Sequence, residues 1–119
     1  GGVMEAACRG ARRASGAGGL VTLGLLPWAS SAGANNFVDV PLPTGLQEAR
    51  NNLVALADAV VGVAGGGGTL SEMAYAWSSR RLLIAARGPG TAGKLADTSL
   101  DNRRDGVIHG VDLDRPQDA

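Results

Sequence analysis

The stretch Val63-Ala64-Gly65-Gly66-Gly67-Gly68-Thr69-Leu70-Ser71-Glu72 limits the possible folds of this chain more than any other segment. Residues 58–64 ahead of it form a continuous apolar run, as a strand buried on both faces does. Residues 69–78 after it read as a helix. A strand that runs through glycine straight into a helix belongs to α/β order, in which parallel strands are joined by helical crossovers. Glycine suits such a turn because it accepts positive φ and lets a ligand approach the backbone. The helix behind the turn aims unpaired N–H groups and the positive end of its dipole at that point, which makes an anion site suited to phosphate. Four consecutive glycines exceed what a tight turn requires. Phosphate binding by Gly65, Gly66, Gly67, Gly68 and Thr69 is therefore preferred to a ligand-free turn.

The rest of the chain keeps the same alternation. Residues 3–14 predict a helix with Met4, Ala7, Cys8 and Ala11 on one face and Glu5, Arg9, Arg12 and Arg13 on the other. Residues 20–26 read as a buried strand stopped by Pro27, 28–36 as a loop, and 37–40 as a short edge strand bounded by Pro41 and Pro43. Thr44-Gly45 opens a helix over 46–57 whose buried stripe is Leu46, Ala49, Leu53 and Leu56. A strand at 81–86, a break at Gly88-Pro89-Gly90, a weak helix at 92–98, a last strand at 106–111 and a polar tail around Pro116 complete the pattern. The expectation is one Rossmann-like domain over residues 1–119, a parallel sheet with helices on both faces. Such a sheet normally opens on a strand, whereas this chain opens on a helix. The expectation is thus that the N-terminal βαβ unit is lacking and the domain N-terminally incomplete.

Composition removes whole classes of function. There are 19 glycines in 119 residues, with no three-residue period and only 5 prolines, which excludes collagen. A 45% hydrophobic share with 18% charged residues excludes a disordered chain. Net charge zero argues against nucleic acid as a partner, and no apolar run reaches the roughly 20 residues of a membrane helix. A single cysteine, Cys8, and no leader-like N-terminus make the cytoplasm the expected location. His109 has no partners at metal-ligand spacing, so no metal is expected, and Ser71 lacks a His–Asp pair for nucleophilic catalysis.

The glycine turn is neither of the two common phosphate motifs. No Gly-Lys-Ser/Thr follows it, and the third glycine of G-x-G-x-x-G would fall on Leu70 or Ser71. Thr69 and Glu72 have the spacing of a capping box, although Glu72 also stands where it could act on a sugar attached to the phosphate. Arg50 and Asn51 lie off the stripe of their predicted helix, where Arg50 could pair with phosphate or with Glu72, or be an ordinary solvated arginine. Gly1-Gly2 ahead of the first helix could form a second glycine–helix anion site.

Taken together, Gly1-Gly2-Val3-Met4-Glu5-Ala6-Ala7, Thr44-Gly45 with Ala49-Arg50-Asn51, and Gly65 to Glu72 resemble one superfamily. It holds the LOG proteins, long labelled lysine decarboxylases, and the molybdenum-cofactor carrier proteins. LOG enzymes have Pro-Gly-Gly-x-Gly-Thr-x-x-Glu; this chain has Ala64 in place of the proline and Asn51 in place of a lysine, which is more like the carrier branch. The resemblance implies a phosphorylated ligand held at the strand C-termini, a homo-oligomer (dimer or tetramer), and an opening β-α-β segment ahead of Gly1. It adds Gly2, Met4, Glu5, Thr44, Gly45 and Asn51 as candidate ligand contacts. In the carrier branch the pocket would hold a molybdopterin-type cofactor or a nucleotide as ligand, with no cofactor required for chemistry. The alternative is a LOG-type phosphoribohydrolase, in which Arg50 and Glu72 would be catalytic in cleaving the N-glycosidic bond of a nucleoside 5′-monophosphate. Lysine decarboxylation is not supported, because Lys94 stands alone in a polar loop and no lysine is placed to hold pyridoxal phosphate.

Overall fold

The computed structural model describes residues 2–16 and 18–114. In chain order the elements are α1 (Gly2–Ser15), β1 (Leu23–Leu26), a 3-10 turn (Ser31–Gly33), β2 (Val40–Pro43), a second 3-10 turn (Gln47–Arg50), α2 (Asn51–Val54), β3 (Ala59–Gly62), α3 (Gly67–Ser78), β4 (Leu82–Ala86), α4 (Gly90–Leu95) and β5 (His109–Val111). Among the described residues every ladder is parallel: β1 pairs with β2, and β3-β4-β5 form a three-stranded sheet in that order. The fold is the Rossmann-like α/β arrangement that the alternation predicts. It divides into two compact units, Gly1–Arg50 and Asn51–Ala119. Gly1 and the tail around Pro116 lie outside the described residues.

The first unit is held by polar contacts. No residue of α1 is buried, and Met4 of its expected apolar face is 65% exposed. Asp39 organises the unit. Its carboxylate accepts from Thr22 N at 2.8 Å, Thr22 Oγ1 at 2.8 Å and an Arg12 guanidinium N–H at 2.6 Å. These donors stabilise the charged form and lower its pKa from 3.8 to about 2, with Thr22 the largest influence and Arg12 after it. The short strand expected at 37–40 forms later, at Val40–Pro43, with prolines inside it. Val40 N donates to Thr22 O and Thr44 N to Leu26 O, so the even-numbered amides face β1 and the nitrogens of Pro41 and Pro43 face away. Phe37, expected in the strand, is instead turned by Asn35, whose Oδ1 accepts from Phe37 N at 2.9 Å.

The second unit carries the apolar core. Among the described residues, Ala55, Val60, Met73, Ala76, Trp77, Leu83, Ala85, Ala92 and Ile108 form one buried cluster. Full burial of side chains such as Met73, Leu83 and Ile108 contributes about 1.5–3 kcal/mol each. Val60 and Gly62 of β3, with Leu83 and Ala85 of β4, are the buried positions of the alternating pattern. A Cβ built on Gly62 would lie 2.7 Å from Met73 Sδ and 3.4 Å from Ala92 Cβ, so α3 and α4 cover the same face of this sheet. On the opposite face Val61 is 57% exposed.

The helix expected over 46–57 does not form in one piece. Gln47–Arg50 is a 3-10 turn that starts from Gln47 at φ +50°, and only Asn51–Val54 is α-helical. Leu56 N and Ala57 N then donate to Leu53 O and Val54 O, closing the segment with further i→i−3 bonds. Three residues per turn in the 3-10 portion reset the face. Asn51 and Ala55 are therefore the buried positions, while Leu46, Ala49 and Leu56 of the expected stripe are exposed.

Candidate functional site

β3 ends at Gly62, and the chain reaches α3 through Val63, Ala64, Gly65 and Gly66. Ala64 and Gly65 both adopt positive φ, +49° and +76°, which bends the strand exit sharply. A Cβ on Gly65 would fall on the Thr69 side chain, with Thr69 Cβ only 2.5 Å away, so glycine is obligatory there. Gly66 occupies the N-cap position of α3 and offers no side-chain cap. Leu70 N makes the first intrahelical bond, to Gly66 O at 3.0 Å. The amides of Gly67, Gly68 and Thr69 therefore precede any acceptor inside the helix. Gly66, Gly67 and Gly68 are exposed, and a Cβ on any of them would meet nothing within 4 Å.

A second strand-to-helix turn braces the first. Thr91 N and Ala92 N, in the first turn of α4, donate to Gly65 O at 3.0 Å and Ala64 O at 2.9 Å. Gly90, at φ +78°, makes this approach possible: a Cβ there would lie 2.5 Å from the Ala64 carbonyl carbon and 2.8 Å from Gly65 O. Thus the N-terminus of α4 is closed by carbonyls of the protein, and the N-terminus of α3 opens onto glycine. Gly90 carries this geometry, yet in the sequence it reads only as part of a break.

The capping box expected from Thr69 and Glu72 is absent, because α3 begins two residues earlier, at Gly67. Thr69 becomes its third residue and Glu72 its sixth, half-buried in the second turn. Asn51 is 3% exposed, and its Nδ2 donates to Ser71 Oγ at 3.4 Å, which fastens the start of α2 to α3. Asn51, a candidate ligand contact in the sequence, is buried and links these two helices. Arg50 ends the first unit, half-buried at the close of its 3-10 turn.

The remaining candidates belong to the first unit. Thr44 Oγ1 donates to Leu26 O at 2.7 Å and accepts from Leu46 N at 3.2 Å, while Gly45 turns the chain at φ +67°. Gly2 is the first residue of α1 and exposed, as is Met4; Glu5 is half-buried.

At the end of β4, Arg87 is a cation that sequence reading passes over. Asp97 accepts from its Nε at 2.8 Å and from a second guanidinium N–H at 3.1 Å, and Asp112 accepts at 3.2 Å. The Arg87 hydrogen bonds lower the Asp97 pKa, and Asp97 in turn raises that of Arg87. Its charge is thereby answered by the protein. Among the described residues no group of three or more His, Cys, Asp or Glu side chains is placed to hold a metal ion, and no helix is long and apolar enough to cross a membrane.

A family model, the SLOG cluster4 family, matches residues 1–113. A protein of Archaeoglobus fulgidus described only as uncharacterised is 37% identical over 90 residues, which is 75% of this chain and 56% of that protein. The solved molybdenum cofactor binding protein from the phototrophic bacterium Rippkaea orientalis is 38% identical with a TM-score of 0.64, over 71% of this chain and 50% of its own. The solved structure of TM1055 is 32% identical with a TM-score of 0.77, over 92% of this chain and 65% of its own. The chain therefore spans between half and two thirds of the length of these relatives.

Proposed function

The chain belongs to the SLOG cluster4 family, and from that premise we propose that it binds a phosphorylated small ligand at the glycine turn before α3, as a carrier of a nucleotide or a molybdopterin-type cofactor. One observation carries this reading. Of the two helix N-termini at this sheet edge, that of α4 is capped by Ala64 and Gly65 carbonyls, whereas that of α3 offers the amides of Gly67, Gly68 and Thr69 beside exposed glycine. A dianionic phosphate is the ligand such a donor set favours, through both the amides and the helix dipole. The cofactor-binding relative from Rippkaea orientalis supports small-ligand binding in this kind of domain.

The same site supports a second reading because Glu72 stands in the next turn of α3. There Glu72 would assist the oxocarbenium-like transition state or its attacking water in cleavage of a nucleoside 5′-monophosphate. Incubation with AMP, analysed by chromatography for free adenine and by calorimetry for binding, separates the two. Binding without release is the expected result. Adenine release that disappears in Glu72→Ala establishes the hydrolase instead, and an absence of any heat with AMP or inorganic phosphate overturns both. The assembly into a dimer or tetramer stays part of this proposal, to be read from the scattering mass of the chain in solution.

A further inference from the structure

The two tryptophans of this chain live in opposite environments. Trp77 is 3% exposed; its Nε1 donates to Asp101 at 2.9 Å, and the Arg104 guanidinium lies 4.5 Å from its ring centroid. Ring and N–H are both spoken for. Trp28 is 49% exposed, and among the described residues its Nε1 donates to nothing and no cation or second ring lies over it. A large aromatic gains much from burial, so Trp28 leaves apolar area that a ligand could cover.

Although open, Trp28 is held firmly. It sits two residues beyond the end of β1, and three successive carbonyls there are taken by amides from the exit of β2. Leu26 O accepts from Thr44 N at 3.1 Å, Pro27 O from Gln47 N at 2.9 Å and Trp28 O from Gly45 N at 3.0 Å. Gly45 and Gln47 both take positive φ to deliver those amides. On the side-chain end, the backbone of Gly33 lies against the six-membered ring: a Cβ there would be 2.7 Å from Cζ3 and 3.1 Å from Cε3. The main chain under Trp28 is thus fixed by hydrogen bonds, the Gly33 backbone lies against one edge of its ring, and part of the ring is left open along with its N–H. The location is the C-terminal end of two parallel strands, where open α/β sheets bind their ligands.

We propose that Trp28 is a stacking platform for a planar heteroaromatic ring, with its Nε1–H available to a ring acceptor. This goes beyond the phosphate reading and is independent of it, because the platform is built by the first unit alone. A tryptophan has only two side-chain torsions, and the Gly33 backbone already flanks its ring, so little rotamer freedom is lost on stacking.

The test uses the whole chain, with Trp28→Phe and Trp28→Ala, and three probes: free adenine, AMP and ribose 5-phosphate. In wild type, adenine and AMP should quench tryptophan emission. Trp28→Phe, which keeps only buried Trp77, should lose that quenching and still bind AMP. Trp28→Ala should bind free adenine roughly 5- to 150-fold more weakly and ribose 5-phosphate unchanged. Emission from Trp77 and far-UV circular dichroism report that each variant is folded. Should Trp28→Ala misfold, the proposal rests on the Trp28→Phe comparison alone. Unquenched wild-type emission with adenine, or equal adenine affinity in wild type and Trp28→Ala, overturns the platform. Quenching by adenine without binding of ribose 5-phosphate leaves the platform standing and defeats the phosphate reading.

Discussion

Gly68→Ala is the substitution that separates a glycine retained for the fold from one retained for a ligand. Gly68 lies in the first turn of α3 with negative φ, and a Cβ there meets nothing within 4 Å. Alanine is better than glycine in a helix by about 0.5–1 kcal/mol, so the variant should be more stable than wild type. Gly90→Ala supplies the opposite sign. It places a side chain at φ +78°, which costs about 1–2 kcal/mol, and drives a methyl into the Ala64 carbonyl carbon 2.5 Å away. The amide bonds to Gly65 O and Ala64 O, each contributing about 0.5–1.5 kcal/mol, would then be lost or stretched. The expected loss is about 2–5 kcal/mol. Urea titrations in a Trp28→Phe background, followed by Trp77 emission, measure both variants from within the second unit. With m near 1–3 kcal/mol/M, Gly68→Ala should raise the midpoint by a few tenths of a molar. In calorimetry the same stabilised variant should bind AMP more weakly, because the added methyl occupies the space through which phosphate reaches the amides. Wild-type affinity in Gly68→Ala would refute the argument that this position is kept open for a ligand. A lowered midpoint would refute the geometry.

Two further outcomes follow from other parts of the molecule. Asp39 has its pKa depressed from 3.8 to about 2 in the folded chain, so its contribution to stability is complete above pH 3.8 and disappears as pH falls through about 2. Trp28 emission, which reports the first unit, should show an acid transition in that window that Asp39→Asn removes. Gly62→Ala should destabilise the second unit by about 1–3 kcal/mol, since a methyl 2.7 Å from Met73 Sδ has no room in a core where Met73 is fully buried. Combining it with Met73→Ala should give less than the sum of the two losses in a double-mutant cycle, and strict additivity would count against the contact.

The parts of this fold that were legible in the sequence are those governed by local chemistry. Buried strands announce themselves as apolar runs, and β3 and β4 fall within the segments 58–64 and 81–86. The helix after the glycines is likewise present, and α1 matches its expected span to within one residue at each end. What escaped depends on partners distant in sequence. β2 tolerates Pro41 and Pro43 only because β1 lies on one side of it, a fact invisible in residues 37–43 alone. The buried face of the 46–57 segment departs from the apolar stripe because a 3-10 turn rotates it, and the positive φ of Gln47 that begins this turn has no local signal. Asn51 is a candidate ligand contact through the family resemblance alone, and nothing in its local sequence signals that it is buried. Its partner, Ser71, stands twenty residues away on another helix.

A turn of four glycines ought to be a poor binding site, since its flexibility would have to be frozen out each time a ligand arrived. The fold restrains this turn, and unevenly along its length. Gly65 is immobilised by its fit against Thr69 and by the amide of Thr91, while Ala64 O is held by Ala92. The next three glycines, with Gly67 and Gly68 already in the helix, meet nothing. Rigidity thus comes from the carbonyl side of the turn, through α4, and leaves the N–H side for an incoming anion. The arrangement also accounts for Gly90, which the glycine motif does not contain: a side chain there would destroy the brace without touching the amides. If binding relies on this brace, Gly90→Ala should weaken phosphate affinity through disorder of the turn, and Gly68→Ala should weaken it in a turn that stays ordered. Amide hydrogen exchange at Thr91 and Ala92 tells the two apart, since protection should fall in the first variant and persist in the second.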